Sequence, residues 1–179
     1  GYKSRFKWLP ARLFANKLEK DLRNDAQFLV QVLNSAGEWD WQKDDKFNAL
    51  YDLISKTHKN EKVLIFTQSA DTVRYIGDCL DAKGVTKLAG ATGGDVDPTA
   101  LAWRFSPNSN CVRNQVRAED ELRVLVATDV LSEGQNLQDC YVVVNYDLPW
   151  AIVRLIQRAG RVDRIGQKSE NILCYSFLP

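Results

Sequence analysis

Apolar residues fall into two rhythms along this chain, and the change from one to the other divides it. Leu18, Leu22, Ala26, Leu29 and Leu33 recur at three- and four-residue steps, the spacing of one helix face, which predicts an amphipathic helix ending near Gly37. Trp39 and Trp41 follow in a short polar connector. From Asp45 onward, short β-rich apolar runs alternate with helical segments. Phe47, Leu50, Tyr51 and Ile54 mark one helix face, with Asp44 or Asp45 as its cap. Lys62 to Thr67 centres on an unbroken apolar run, the pattern of a parallel strand covered on both faces. Ser69 can cap the next helix, whose face is Val73, Ile76 and Leu80 and which Gly84 stops. The rhythm continues with a short strand at Val85 to Ala89 and a helix opening at Asp97-Pro98 and leading to Trp103 and Phe105. Ser106 to Glu121 is polar and reads as an exposed insertion. Strands are expected at Leu122 to Thr128, Tyr141 to Asn145 and Ile172 to Phe177, with a helix at Ala151 to Arg158. Such alternation predicts an α/β domain with a mostly parallel sheet and helices on both faces. Residues 1–44 read as a helical connector and 45–179 as that domain, with no internal repeat.

Composition narrows the picture. The chain has 179 residues, 45% apolar and 26% charged, which suits one globular domain rather than a disordered segment. The longest apolar runs, Val63 to Phe66 and Val124 to Ala127, fall far short of the roughly 20 residues of a membrane helix. Lys3, Arg5 and Lys7 are followed by polar sequence with no apolar signal region. A soluble, cytoplasmic domain with no membrane partner is expected. The chain lacks Met, including at position 1, so it is expected to be a piece of something longer.

Twenty-four Lys and Arg against 23 Asp and Glu give a net charge of +1, so any nucleic-acid binding must come from local patches. One lies between Lys3 and Arg23, the other between Arg154 and Lys168. Cys79, Cys111, Cys140 and Cys174 form no C-x-x-C pair, which argues against both a zinc site and a disulfide framework. Three of them lie in apolar contexts suited to buried thiols. The single histidine, His58, sits beside Lys56 and Lys59 at a helix end and reads as a surface residue. One histidine leaves no Ser-His-Asp or Cys-His machinery.

In a parallel α/β sheet, ligands bind at the carboxyl ends of the strands. That rule picks out Thr67-Gln68-Ser69, Ala127-Thr128-Asp129 and Asn145-Tyr146-Asp147. A sharper feature is Q-R-A-G-R-V-D-R-I-G-Q at Gln157 to Gln167, where Arg158, Arg161 and Arg164 recur every three residues and Arg154 adds a fourth. On a helix these guanidiniums would share one side. Clustered permanent cations call for a compensating anion, such as a phosphate or a carboxylate. The alternative is a solvated basic helix paired with Asp163. Gly160, costly inside a helix by about 1 kcal/mol, marks a bend or a close backbone approach.

The stretch Gln157 to Gln167 resembles motif VI of superfamily 2 helicases, in the wording of Swi/Snf-like ATPases. Val124 to Leu137 (V-L-V-A-T-D-V-L-S-E-G-Q-N-L) resembles motif V, and Lys62 to Ser69 (K-V-L-I-F-T-Q-S) resembles motif IV. The three occur in the family's order, each after an expected strand, over roughly three quarters of the chain, from Asp45 to Phe177. The wording S-E-G-Q-N-L-Q followed by N-Y-D-L-P-W is similar to bacterial members.

This resemblance implies a RecA-like lobe, the helicase C-terminal domain, preceded by a connector from a first lobe of the same parent protein. It implies an ATP-dependent helicase or translocase on nucleic acid, with double-stranded DNA the favoured partner. Arg161 and Arg164 match the family positions that reach the ATP phosphates, Arg161 as the principal finger, and Gln157 matches a coupling position. Gly134, Asn136 and Asp129 are assigned to the nucleotide side, and Thr67, Gln68 and Thr128 to the nucleic-acid backbone. ATP and Mg²⁺ would be bound mainly by the first lobe. Neither G-x-x-x-x-G-K-[ST] nor D-E-x-H occurs in this chain, and Gly90 to Asp95 lacks the lysine and reads as a plain turn. Asp97-Pro98-Thr99 stands where relatives commonly carry an arginine. The chain by itself is therefore expected not to hydrolyse ATP. The second reading is a non-catalytic RecA-like module that binds nucleic acid or protein.

Overall fold

A computed structural model describes residues 10, 13–15, 17–93, 97–132 and 135–178. The chain divides into two compact units, Gly1–Asp40 and Trp41–Pro179. In the first unit, α1 (Leu18–Ala36) follows the apolar spacing and ends on Gly37 at φ 73°, a left-handed value that glycine adopts without strain. None of its residues is buried. Most of the basic stretch from Lys3 lies outside the described residues.

The second unit is a parallel five-stranded sheet in the order β2-β3-β1-β4-β5. Its strands are β1 (Val63–Phe66), β2 (Leu88–Ala91), β3 (Val124–Ala127), β4 (Val142–Asn145) and β5 (Leu173–Ser176). The three central strands are buried at every position, which explains why they read as unbroken apolar runs. Alternate side chains feed two cores. Ile65, Val126 and Val144 pack under α2 (Asp45–Asp52) and α3 (Ala70–Ala82), through Phe47, Leu50, Val73 and Ile76. On the other face Leu64, Leu125 and Val143 pack with Leu101 and Phe105 of α4 (Pro98–Phe105) and with Val162 beyond α5 (Ile152–Ala159). Among the described residues, no helix is long and apolar enough to cross a membrane.

Three helix starts follow the sequence reading. Asp44 accepts from the Phe47 N–H, Ser69 from Asp71 and Asp97 from Thr99, which satisfies donors that a helix leaves open at its N-terminus.

Five expectations change. The second strand starts at Leu88 rather than Val85, because Val85 serves the end of α3. Its N–H bonds the Leu80 carbonyl and the Gly84 N–H bonds that of Asp81, with Gly84 at φ 77°, the hydrogen-bond pair that closes a helix around a left-handed glycine. Gly90 is part of this strand rather than of a plain turn. His58 is buried rather than on the surface, its Nε2 2.9 Å from the Tyr175 hydroxyl. Of the four thiols, Cys79 and Cys140 are buried while Cys111 and Cys174 are exposed, because Cys174 lies on an edge strand with little cover. Burial pushes the Cys140 thiol up to about 12. The polar segment 106–121 is bound into the domain rather than projecting from it. Asp139 accepts from the Asn108 and Ser109 N–H groups, Glu121 joins Lys62 and Arg113, and Ser106 is fully buried.

Gly90 also marks where α3 lies tight against β2. A Cβ there would stand 2.9 Å from Val73 Cγ1, and the β-branched Val73 has little rotamer freedom to retreat. Gly90→Ala is therefore expected to destabilise the domain by about 1–3 kcal/mol, read as a lower denaturation midpoint with an unchanged m-value. An unaltered midpoint would contradict this packing.

Candidate functional site at the carboxyl edge

The polar segments that follow β1, β3 and β4 meet in one hydrogen-bonded network. At its centre is the guanidinium of Arg158, 0% exposed. Its Nε donates to Asp129 Oδ1 at 2.7 Å, and one terminal nitrogen donates to Asn145 Oδ1 at 3.1 Å and to the Asp147 carbonyl at 3.2 Å. The cation lies 5.2 Å from the centre of the Phe66 ring, a favourable cation–π distance. Its other terminal nitrogen is buried without a hydrogen-bond partner among the described residues. Arg154 donates to the second oxygen of Asp129 at 2.8 Å.

This geometry revises the reading of the basic run. The four arginines do not share one helix side. Arg154 and Arg158 lie on α5, and their compensating anion is internal, Asp129 rather than Asp163. Arg161 and Arg164 lie beyond the helix end at Ala159. Gly160 caps α5, and a Cβ there would stand 3.1 Å from the Ile156 carbonyl oxygen, so the close backbone approach is real. Arg161 is half-buried, and its carbonyl accepts from the Leu137 N–H at 3.4 Å. Arg164 is exposed and donates to Asn136 Oδ1 at 3.1 Å. The structure thus brings Arg161 and Arg164 beside the segment Gln135–Leu137.

The remaining candidates fall around these two groups. Thr67 is fully buried, and its hydroxyl donates to Asp147. Gln68 is exposed, with its amide donating to the Leu148 carbonyl at 2.8 Å. Thr128 sits at the end of β3, where its N–H bonds the Ala91 carbonyl at 3.1 Å. Gln157 is on the exposed side of α5. Gly134 lies outside the described residues. Lys46, Asn145, Asp147, Arg154 and Arg158 belong to the network although the resemblance assigned none of them a site role. Asp147 binds Thr67, the Gln68 N–H and, at 3.3 Å, Lys46. Its place after an apolar run was visible, its partners were not.

Helix α5 turns Arg158 into the protein, while Arg154, 56% exposed, reaches the same carboxylate from the surface. Ile152, Val153 and Ile156 are 74%, 55% and 68% exposed, while Arg158 on the opposite side is buried. With about 100° of turn per residue, these aliphatic positions lie on one side and Arg154 and Arg158 on the other. The pull of Asp129 on two guanidiniums has decided which side faces the protein.

A parallel five-stranded sheet between helices, with a polar network at its carboxyl edge and two further arginines beside it, has the α/β architecture of a RecA-like lobe. Residues 45–166 match the helicase conserved C-terminal domain, and the chain belongs to that family. It is 35% identical over 122 residues to the uncharacterized ATP-dependent helicase YqhH of Bacillus subtilis, covering 66% of this chain and 19% of that protein. It is 31% identical over 159 residues to the ATP-dependent RNA helicase eIF4A of Chaetomium globosum, covering 89% of this chain and 35% of that protein. The chain thus spans about a fifth to a third of these relatives. In fold it is similar to the C-terminal part of the Fun30 ATPase domain, with a TM-score of 0.59 and 18% identity over 88% of this chain and 49% of that one. It is also similar to the Escherichia coli DEAD-box protein SrmB, with a TM-score of 0.51 and 24% identity over 73% of this chain and 70% of that one.

The charge pair at Asp129 makes stability depend on pH in a defined direction. Burial would raise the Asp129 carboxyl, but hydrogen bonds and charge from Arg158, then Arg154, outweigh it and hold the group below the ordinary carboxylate range. A depressed folded value means that its stabilisation is present above the unfolded value of about 3.9 and is lost as pH falls through the folded one. Asp129→Asn is therefore expected to cost roughly 3 kcal/mol at pH 7 by leaving Arg158 without its counter-charge. It should also reduce the loss of stability on acidification. Thermal unfolding of both proteins from pH 7 to pH 3 checks both. Some acid sensitivity remains, because Lys62 and Arg113 likewise hold Glu121 low against its burial.

Proposed function

We propose that this chain is the second lobe of an ATP-dependent nucleic-acid helicase or translocase, supplying arginines to ATP held by a first lobe. The observation that carries the reading is the division of labour among the four arginines. Arg154 and Arg158 are consumed by Asp129, whereas Arg161 and Arg164 stand past the end of α5, beside Gln135–Leu137. An arginine placed there is a fixed planar cation that can match the charge developing on transferred phosphoryl oxygens. Arg161 is the principal finger, Arg164 the second, and Gln157 the coupling residue on the exposed side of the same helix. Asn136, which holds Arg164, and Gly134 belong to the nucleotide side. Asp129 acts there through its arginines rather than as a direct ligand.

The donor set fits a triphosphate and leaves magnesium to the first lobe. No group of three or more His, Cys, Asp or Glu among the described residues is arranged to hold a metal ion, and the Asp129 carboxylate is engaged by two guanidiniums. Bound Mg²⁺ would neutralise phosphate charge in the partner lobe. This lobe adds directed cations, so by itself it is not expected to turn ATP over.

Gln68 and Thr128 suit contacts to a nucleic-acid backbone, which position a strand without reading its sequence. Thr67 would act through Asp147, which its hydroxyl already binds. The resemblance to Swi/Snf-like ATPases favours double-stranded DNA, while the likeness to the RNA helicase eIF4A favours RNA as the second reading. A non-catalytic module would have no use for arginines at both motif VI positions beside Gln135–Leu137.

The test is ATP hydrolysis by the whole two-lobed protein with no nucleic acid, with duplex DNA and with RNA, comparing wild type with Arg161→Ala. The rate is expected to be stimulated by duplex DNA and to fall by about 10³ or more in the variant, with nucleic-acid binding retained. Stimulation by RNA alone would move the substrate to RNA. Equal rates in the two proteins would remove the finger role from Arg161, and no rate in either would favour the non-catalytic module.

A further inference from the structure

Residues 136–139 are fastened on two sides. One side is the loop that carries Arg161 and Arg164. The other is the start of segment 106–121, to which neither the resemblance nor the network around Arg158 gives a role. We propose that Asn110 is a positioning residue for Arg164, acting through Asn136, so that this segment sets where the second arginine stands. The proposal rests on the function proposed above and names the support of its second arginine.

On the arginine side, the Leu137 N–H bonds the Arg161 carbonyl at 3.4 Å, the Gln138 amide donates to the Ile165 carbonyl at 3.1 Å, and Asn136 Oδ1 accepts from Arg164 at 3.1 Å. On the other side, the half-buried Asn110 amide donates to the Asn136 carbonyl at 2.8 Å and to the Ser106 carbonyl at 2.8 Å, with the Ala102 carbonyl farther off at 3.4 Å. The Asp139 N–H bonds the Ser106 hydroxyl at 3.3 Å, and its carboxylate accepts from the N–H groups of Asn108 and Ser109 at 2.8 and 3.0 Å. A side-chain amide has two protons to give, and the two short bonds use both. Asn110 therefore joins the end of α4 to the backbone of a residue whose side chain holds Arg164.

Three features make this a support for Arg164 and not packing alone. The first is its anchor. Leu101, Ala102 and Phe105 of α4 are buried and Ser106 is 0% exposed, so Asn136 is held against a fixed part of the fold. The second is the state of Arg164. It is exposed, and among the described residues its guanidinium meets only neutral acceptors, Asn136 Oδ1 and, at 3.5 Å, the Gln135 carbonyl. A long side chain without an ion pair keeps most of its rotamers in water, so its aim depends on where those two oxygens stand. The third is the tolerance of the chemistry. A group that must meet a transferring phosphoryl can lose on the order of 10²-fold in rate when misplaced by about 1 Å. With both amide protons engaged, Asn110 acts through Arg164 and not on the phosphates.

The experiment measures kcat and KM for ATP in the whole two-lobed protein with duplex DNA present. Wild type, Asn110→Ala, Arg164→Ala and the double variant form a cycle, with Arg161→Ala and Asn110→Ser beside it. Asn110→Ala is expected to lower kcat about tenfold while KM for ATP and nucleic-acid affinity stay within about twofold of wild type. Once Arg164 is alanine it should lower kcat no further, because a support has no effect without the group it supports. Asn110→Ser keeps a hydroxyl that can bond the Ser106 carbonyl four residues back but does not reach Asn136. It should match Asn110→Ala in rate with a melting temperature closer to that of wild type, which separates positioning from loss of folded protein. An unchanged kcat in both Asn110 variants would overturn the proposal, and so would an equal fall from Asn110→Ala with and without Arg164. An inactive Arg161→Ala beside a fully active Arg164→Ala would also overturn it, leaving the finger role of Arg161 standing. Full activity of Arg161→Ala would remove the proposed function and this proposal with it.

Discussion

The buried guanidinium of Arg158 holds the carboxyl edge of the sheet together. A cation withdrawn from water is tolerated only where its charge is paired, and here its charge and two of its three nitrogens are met from three strands at once. Asp129 follows β3, Asn145 ends β4, Asp147 follows it, and Phe66 closes β1. Asp147 in turn receives Thr67 and Lys46. Each segment that follows a central strand is thus tied directly or indirectly to one side chain of α5. A neutral side chain of equal size could fill the space without holding these oxygen atoms in register.

That single constraint explains an arrangement that hydrophobicity alone would reverse. An amphipathic helix normally turns its aliphatic side to the core. In α5 Arg158 faces in because Asp129, which follows β3, offers it one carboxylate oxygen and gives the other to the exposed Arg154. The aliphatic side then faces out, and the chain beyond Gly160 emerges with Arg161 and Arg164 beside Gln135–Leu137. The device that anchors the helix also sets where the arginines beyond it stand, so the four cations of one short run fall into two different surroundings.

Membership of the helicase conserved C-terminal domain family accords with this division. The two cores on either face of the sheet hold this edge in place. The closure of α3 around Gly84 and the tight seat of Gly90 on Val73 fix the sheet away from the site, while segment 106–121, bound through Asp139 and Glu121, also reaches it where Asn110 donates to the Asn136 carbonyl at 2.8 Å.

Much of this was legible in the residues themselves. Runs such as V-L-I-F and V-L-V-A, the caps at Asp44, Ser69 and Asp97, and the stop at Gly84 are local signals, set by backbone geometry within a few positions. They determined the order of elements, the parallel sheet and the edge on which polar residues gather. The three motifs determined the family, because their residues and order are a property of the chain alone. What stayed hidden depended on partners distant in sequence. That Val85 would be taken by the end of α3, that His58 would be buried against Tyr175, and that Asp129 would neutralise Arg158 rather than Asp163 were decided only when the strands came together. Burial and pairing of a charge are properties of the space between elements, and no spacing along one helix records which carboxylate another strand will bring to it.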